Sequence, residues 1–377
     1  MRAALSLLFV LLATAGARAQ LKLEFVQQGD PSNPRALIVI HRGLSDRSDL
    51  KPFFAEWGRS WALQQFCSVY SYSYPADLNS MPALDALGAN LLTDIQTEDF
   101  DRSIPGSDPI NPLRTVVPSD SRQPPASFFK AGKLVPTYVL AQGTGGLVAR
   151  EMLAQAQKKG LKMQGVTYVG TPLDGVPMMS LNASLRQSVL CAQMGLTATP
   201  GSYAITHLSP GWLQVCSMWD AAKGWAARYA PAYGVKTYLV YGTTTPRHLG
   251  ADRVQYGRGR GLSAQSQADF DGWVTRHSAY GDKNGPTATV ALGQLAVSSP
   301  HSAMIGLDPV YQLVIQQMLT KATWVNYLML REGIELYFHK TQKKPLGFYY
   351  DESSTPVYKP AYALPGALYQ FLWIGAT

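Results

Sequence analysis

Hydrophobic and polar positions are grouped in blocks whose period changes along the chain. Residues 21–25 alternate, and the turn Gly29-Asp30-Pro31-Ser32-Asn33-Pro34 follows. Residues 36–40 read Ala-Leu-Ile-Val-Ile, a continuous apolar run of the kind found in strands buried on both faces. Residues 49–66 carry aromatic and leucine side chains at helical spacing; 67–74 return to strand and 82–95 to helix. The stretch 100–130 is rich in Pro, Ser and Asp and predicts an excursion from the sheet. A buried strand over 137–141, a helix over 145–159 and strands over 164–170 and 235–242 complete the regular part. Strands alternating with helices predict an α/β class, with a mostly parallel sheet flanked by helices.

The N-terminus changes the picture. Arg2, an apolar run from Ala3 to about Thr14 and the A-x-A sequence Ala17-Arg18-Ala19 predict a signal peptide over 1–19. That run is too short to span a bilayer, and no other stretch of about 18 uninterrupted apolar residues occurs, so no transmembrane span is expected. The expectation is a mature chain from Gln20, secreted or held in the periplasm or cell envelope. The formal net charge of +8 allows loose attraction to anionic surfaces. The most basic run, residues 253–260 (RVQYGRGR), lacks the interleaved aromatics of a stacking platform, so no nucleic-acid partner is expected. Of the three cysteines, Cys191 and Cys216 share a loop-rich segment and would pair in an oxidising compartment, although an odd count fixes no pairing. No Cys/His spacing suits zinc, and no metal or other cofactor is implied.

The chemistry gathers around residues 138–152, YVLAQGTGGLVAREM: a buried strand, a glycine turn and a helix. A nucleophile elbow of the form G-x-S-x-G has this shape. Here the turn reads Ala141-Gln142-Gly143-Thr144-Gly145, and Gly143 stands where the serine belongs. Glycine suits the left-handed backbone of such a turn but offers no hydroxyl. Thr144 is one residue on, with a side chain that leaves the turn in another direction.

Several segments in order resemble the α/β-hydrolase superfamily, secreted triacylglycerol lipases and esterases in particular, from about Arg35 to Leu319. Gly145-Gly146-Leu147-Val148-Ala149-Arg150 resembles the GGLVAR that follows the lipase nucleophile. Gly170-Thr171-Pro172-Leu173-Asp174-Gly175 resembles the G-T-P-x-x-G segment, and His207-Leu208-Ser209-Pro210-Gly211 an L-x-P-G lid motif. The resemblance implies an α/β-hydrolase fold over 20–340 with a lid or cap insertion over 173–233; residues 341–377, dense in Tyr, Phe and Pro, are expected as an aromatic-rich C-terminal extension packed on the domain. It implies His301, in SSPHSAMIG, as the catalytic base and Asp271, in DGWVTRHSA, as the acid that orients it; Asp282 is the weaker alternative. The oxyanion donors implied are the amide of Thr144 and that of Arg42 or Leu44, in the expected loop His41-Arg42-Gly43-Leu44.

Base, acid and one donor are therefore matched, and the attacking oxygen is not. Three readings stay open. The chain is a lipase-like pseudoenzyme that binds an apolar ester-like ligand or a partner; or an active carboxylester hydrolase using Thr144 or a water activated by His301; or a structural envelope protein that docks through its C-terminal extension.

Overall fold

The computed structural model describes residues 22–29, 33–43, 67–75, 81–102, 127–176, 209–220, 235–243, 271–281 and 293–318. The signal peptide, the helix expected over 49–66, His207, Asp282 and the C-terminal extension lie outside these residues. So do Cys191, the expected partner of Cys216, and residues 177–208 and 221–233 of the expected insertion.

The elements run in this order: β1 (Leu23–Gln27), β2 (Ala36–Gly43), β3 (Ser68–Pro75), α1 (Leu84–Thr97), β4 (Asp101–Arg102), β5 (Phe129–Lys130), β6 (Lys133–Leu134), β7 (Thr137–Gln142), α2 (Gly145–Lys158), β8 (Gly165–Val169), α3 (Pro210–Asp220), β9 (Lys236–Gly242), α4 (Arg276–Tyr280), β10 (Gly293–Val297), a 3-10 turn (His301–Gly306) and α5 (Asp308–Met318). Strands β5 and β6 form a separate hairpin. The other eight make one sheet in the order β10-β9-β8-β7-β2-β3-β1-β4. Every pairing in it is parallel except that of β1 with β3.

Apolar residues run unbroken through the central strands because both faces of the sheet are covered. Side chains alternate across a strand, so Ile38 and Ile40 of β2 face one layer and Leu37 and Val39 the other. The first layer contains Leu84, Leu87, Leu91 and Ile95 of α1, Leu147, Val148 and Met152 of α2, and Trp212 and Val215 of α3. The second contains Val310, Tyr311, Val314 and Ile315 of α5. In α1 and α5 the buried positions recur at three- and four-residue intervals, which puts them on one helical face. Helix α1 is tied to α3 where the Leu84 amide donates to Gln214 Oε1 at 2.7 Å. Its far end closes on Glu98, in a left-handed conformation (φ 54), whose carboxylate accepts from the Phe128 amide at 2.8 Å.

Two expectations are corrected. The first strand is displaced to Leu23–Gln27 and lies antiparallel on β3. Residues 41–43 are not the start of a loop: β2 continues to Gly43, with His41 opposite Ser73, Arg42 opposite Tyr74 and Gly43 opposite Pro75. The cause is register. Pairing of β2 with β7 ends at Ile40, whereas β3 supports it for three residues more. Buried His41 also meets Ser71 Oγ through Nε2 at 2.8 Å. Among the described residues no helix is long and apolar enough to cross a membrane.

The packing of β3 makes the protein sensitive to alkali. Burial raises the titration of the Tyr70 and Tyr72 phenols, helped by Glu98 near Tyr70 and Asp94 near Tyr72. Burial likewise pushes the Cys67 thiol up to about 12, with Arg35 opposing it. The folded chain therefore keeps protons that the unfolded chain releases above about pH 9 to 10. This stabilisation is complete below that range and is lost progressively as pH rises from there toward the raised folded values, about 12 for Cys67. We expect the urea midpoint to fall between about pH 8 and pH 11, and Tyr72→Phe to reduce the fall; an unchanged midpoint would contradict the burial of these groups.

Candidate active site

The elbow forms because β7 must pass directly into α2. Its hinge is Gly143, whose φ of +56° lies in the left-handed region that side chains with a Cβ enter at a cost. The turn is pinned by the Gly143 amide donating to Val169 O at 2.9 Å and the Gly146 amide donating to Gly143 O at 3.0 Å. Thr144 is the N-cap residue of α2, so its amide stands at the positive end of a 14-residue helix. That amide makes no hydrogen bond to any described residue. The Thr144 hydroxyl, in contrast, is fully buried and lies 2.5 Å from the Tyr74 hydroxyl at the end of β3.

Two further segments, each following a strand of the parallel sheet, meet the elbow. Asp271 precedes α4 and His301 opens the 3-10 turn; both are buried. His301 Nδ1 lies 2.8 Å from Asp271 Oδ2, and the His301 amide donates to the Asp271 carbonyl at 2.9 Å. A carboxylate can only accept, so Nδ1 carries the proton of this bond. The second carboxylate oxygen, Oδ1, accepts from the Trp273 amide at 2.9 Å and the Val274 amide at 2.7 Å. With all its near contacts filled, Asp271 can fix the imidazole in one orientation.

That orientation aims Nε2 at the elbow. A Cβ built on Gly143 would lie 3.0 Å from His301 Nε2 and 3.2 Å from Trp273 Cζ3. Both distances are tighter than ordinary van der Waals contact, so imidazole and indole close over a residue that has no side chain. Gly170 provides room behind the ring: a Cβ there would come within 2.8 Å of His301 Nδ1 and 2.4 Å of Met304 Cε. Order along the chain is elbow, acid, histidine, at the carboxyl ends of parallel strands. This is the α/β-hydrolase fold.

No protein-family model matches the chain, and no curated protein matches it by sequence. Among solved structures it is similar to a Bacillus licheniformis lipase in mature form, with 13% identity over 78% of this chain and 96% of that one, at a TM-score of 0.47. It is also similar to carboxylesterase CesB of Bacillus subtilis, with 14% identity over 76% of this chain and 84% of that one, at 0.36. A type II thioesterase from the borrelidin biosynthetic cluster matches with 11% identity over 79% of this chain and 98% of that one, at 0.39. Sheet order and the elbow, rather than these likenesses, carry the assignment of the architecture.

Of the residues singled out in the sequence, the α/β-hydrolase scaffold brings Gly143, Thr144, Asp271 and His301 together. Arg42 stands within β2, opposite Tyr74, and Leu44 lies outside the described residues. Three neighbours of the site were not legible. Trp273 meets the imidazole edge-on, with ring centroids 4.7 Å apart, and Trp212 meets Trp273 in the same way at 5.9 Å. Gln142 Nε2 donates to the His301 carbonyl at 3.1 Å. In the sequence Trp273 is one more buried aromatic, and only its place two residues past Asp271 hints at the site. No group of three or more His, Cys, Asp or Glu among the described residues is arranged to hold a metal ion.

The Asp271 contacts set its weight in stability. Asp271→Ala would orphan two buried amides and the imidazole Nδ1–H, at about 1 kcal/mol or more each, so we expect a loss of about 3 kcal/mol. Asp271→Asn keeps an acceptor for the two amides and should lose less than half of that. Chemical denaturation of both variants checks the order; equal losses would mean that the backbone contacts contribute nothing.

Proposed function

We propose that this is an exported, lipase-like α/β-hydrolase-fold protein, strongly impaired in catalysis, whose elbow site holds an apolar ester-like ligand. The observation that carries this reading is Gly143 beneath the Nε2 of a histidine still tied to Asp271. Acyl transfer by this scaffold needs an oxygen nucleophile at the elbow, a base to take its proton and donors for the oxyanion. His301 and Asp271 supply a base and its orientation, and the Thr144 amide a donor at the helix N-terminus. The place of the attacking oxygen holds only hydrogen.

Thr144 does not fit the role of substitute. Its hydroxyl is fully buried against the Tyr74 hydroxyl, whereas His301 Nε2 is the nearest atom to a Cβ built on Gly143. A base must come within about 3 Å of the proton it removes. The apolar character of the ligand is supported by the aromatic wall that Trp273 and Trp212 build beside the imidazole. Export rests on the signal-peptide pattern of residues 1–19, and N-terminal sequencing of the mature chain should return Gln20.

The decisive experiment restores the hydroxyl. In Gly143→Ser a Cβ must push back the imidazole and the indole by a few tenths of an ångström, and a serine at positive φ adds strain of about 1–2 kcal/mol. We expect turnover of p-nitrophenyl esters to rise by about 10²-fold over the native protein, a partial recovery of what a lost nucleophile removes. Adding His301→Ala should abolish the gain. If the native protein already hydrolyses these esters well, and Thr144→Val but not Gly143→Ala silences it, the impaired reading is wrong.

A further inference from the structure

The amino-terminal edge of the sheet carries a row of unneutralised cations. Parallel strands begin at the same edge, and here a cation stands at or shortly before each start. Arg35 immediately precedes β2, and Lys130 and Lys133 belong to the β5–β6 hairpin that leads into β7. Lys162 lies just ahead of β8, and Lys236 opens β9. The order β9-β8-β7-β2 makes these strands consecutive, so the row is about 14 Å wide before side chains are counted. Backbone bonds hold the starts side by side: the Ala36 amide donates to Pro136 O at 3.0 Å, the Gln164 amide to Thr137 O at 2.8 Å and the Lys236 amide to Gln164 O at 3.2 Å. Helix α2 runs back to this edge and ends there on Lys158, with Lys159 as its cap.

None of these cations forms an ion pair with a described residue. Between residues 127 and 176 the carboxylates are Glu151 and Asp174, and both are buried. Glu98, beside the hairpin, accepts from the Ser127 hydroxyl and the Phe128 amide, and Asp99 pairs with Lys22 at 2.8 Å. Lys159 Nζ donates to Gln96 Oε1 at 2.6 Å, a neutral partner that leaves the charge in place. The negative end of the α2 dipole accounts for Lys158 and Lys159. It does not account for Lys130, Lys133, Lys162 and Lys236, which belong to other elements.

The form of the edge selects the partner. All six lysines are exposed. A Cβ built on Gly132, in the hairpin turn, or on Gly160, just past α2, meets nothing within 4 Å, so both turns project into open space. Six lysines against one arginine suit many spread charges better than a single anion gripped by a planar fork. The aromatic residues nearest in sequence to the hairpin are withdrawn: Phe128 and Tyr138 are buried and Phe129 partly so. The edge therefore offers no stacking platform for bases. Charges on turns that project side by side reach a plane all at once, whereas a linear polyanion touches only those along its track.

We propose that this edge docks the protein, peripherally and reversibly, on a bilayer surface rich in anionic phospholipid. The elbow, at the carboxyl ends of the same strands, then faces away from the lipid. The inference uses none of the elbow chemistry, so it stands or falls apart from the function proposed above.

Co-sedimentation of the purified mature chain with vesicles tests it. Binding is expected to phosphatidylcholine vesicles that contain about 30% phosphatidylglycerol and not to phosphatidylcholine alone, with a fall of at least tenfold between about 50 and 200 mM salt. Lys162→Gln should weaken binding about fivefold, and the quadruple variant Lys130→Gln, Lys133→Gln, Lys162→Gln, Lys236→Gln by more than about a hundredfold. Arg276→Gln removes the same charge from the other end of the strands, where the guanidinium lies over Tyr241, and should leave binding within about twofold. Equal losses for Lys162→Gln and Arg276→Gln would mean that net charge and not this edge attracts the lipid, and would overturn the proposal. Indifference to phosphatidylglycerol overturns it as well. So does retention on alginate, a soluble polyanion, without binding to either vesicle.

Discussion

The backbone reversal at residue 143 governs the geometry of the site. A strand in the middle of a parallel sheet has to hand over to a helix that packs back on that sheet, and the left-handed conformation of Gly143 does this within one residue. The reversal places the N-terminus of α2 at the carboxyl end of the sheet. A glycine there satisfies the backbone without strain, so the turn needs no side chain at this position.

Asp271 performs the corresponding task on the histidine side. One oxygen is consumed by the two amides that follow it, which shapes the start of the segment leading to α4. The other reaches across to His301, and the histidine amide returns a bond to the Asp271 carbonyl. The carboxylate is therefore both a local turn former and a long-range tie between segments 30 residues apart. This double role gives the His–Asp pair a structural weight of its own: removing it would leave several buried polar groups without partners. The pair does not by itself imply turnover.

The aromatic wall gives the site its character. Trp212 comes from α3, within the segment that follows β8, and Trp273 from the segment that carries the acid; the two meet edge to face. Trp273 also meets the imidazole and approaches the elbow glycine. Apolar surface, a buried imidazole and a helix N-terminus thus converge in a small volume. Low polarity around the few polar groups strengthens each of their interactions and makes each unmatched one costly.

The strands and helices at the centre of the fold were legible because their burial leaves local marks. Continuous apolar runs at 36–40 and 137–141 reflect a sheet covered on both faces, and the apolar period over 82–95 a helix packed on one side. Gly143, Asp271 and His301 were legible through the segments that contain them, since each sits in a short pattern of turn and helix start. Boundaries were not legible where pairing alone set them. The extension of β2 through Arg42 to Gly43 depends on β3, a partner distant in sequence, and no property of residues 41–43 announces it. The approach of Trp273 and His301 to Gly143, the Tyr74–Thr144 contact and the bond from Gln142 to His301 join segments far apart in the chain. By itself the sequence determined an elbow without a hydroxyl and the candidates around it. Only the tertiary structure decided that the imidazole addresses the elbow glycine while the Thr144 hydroxyl meets Tyr74, because the direction of a side chain follows from the backbone turn and from packing between segments that never touch in sequence.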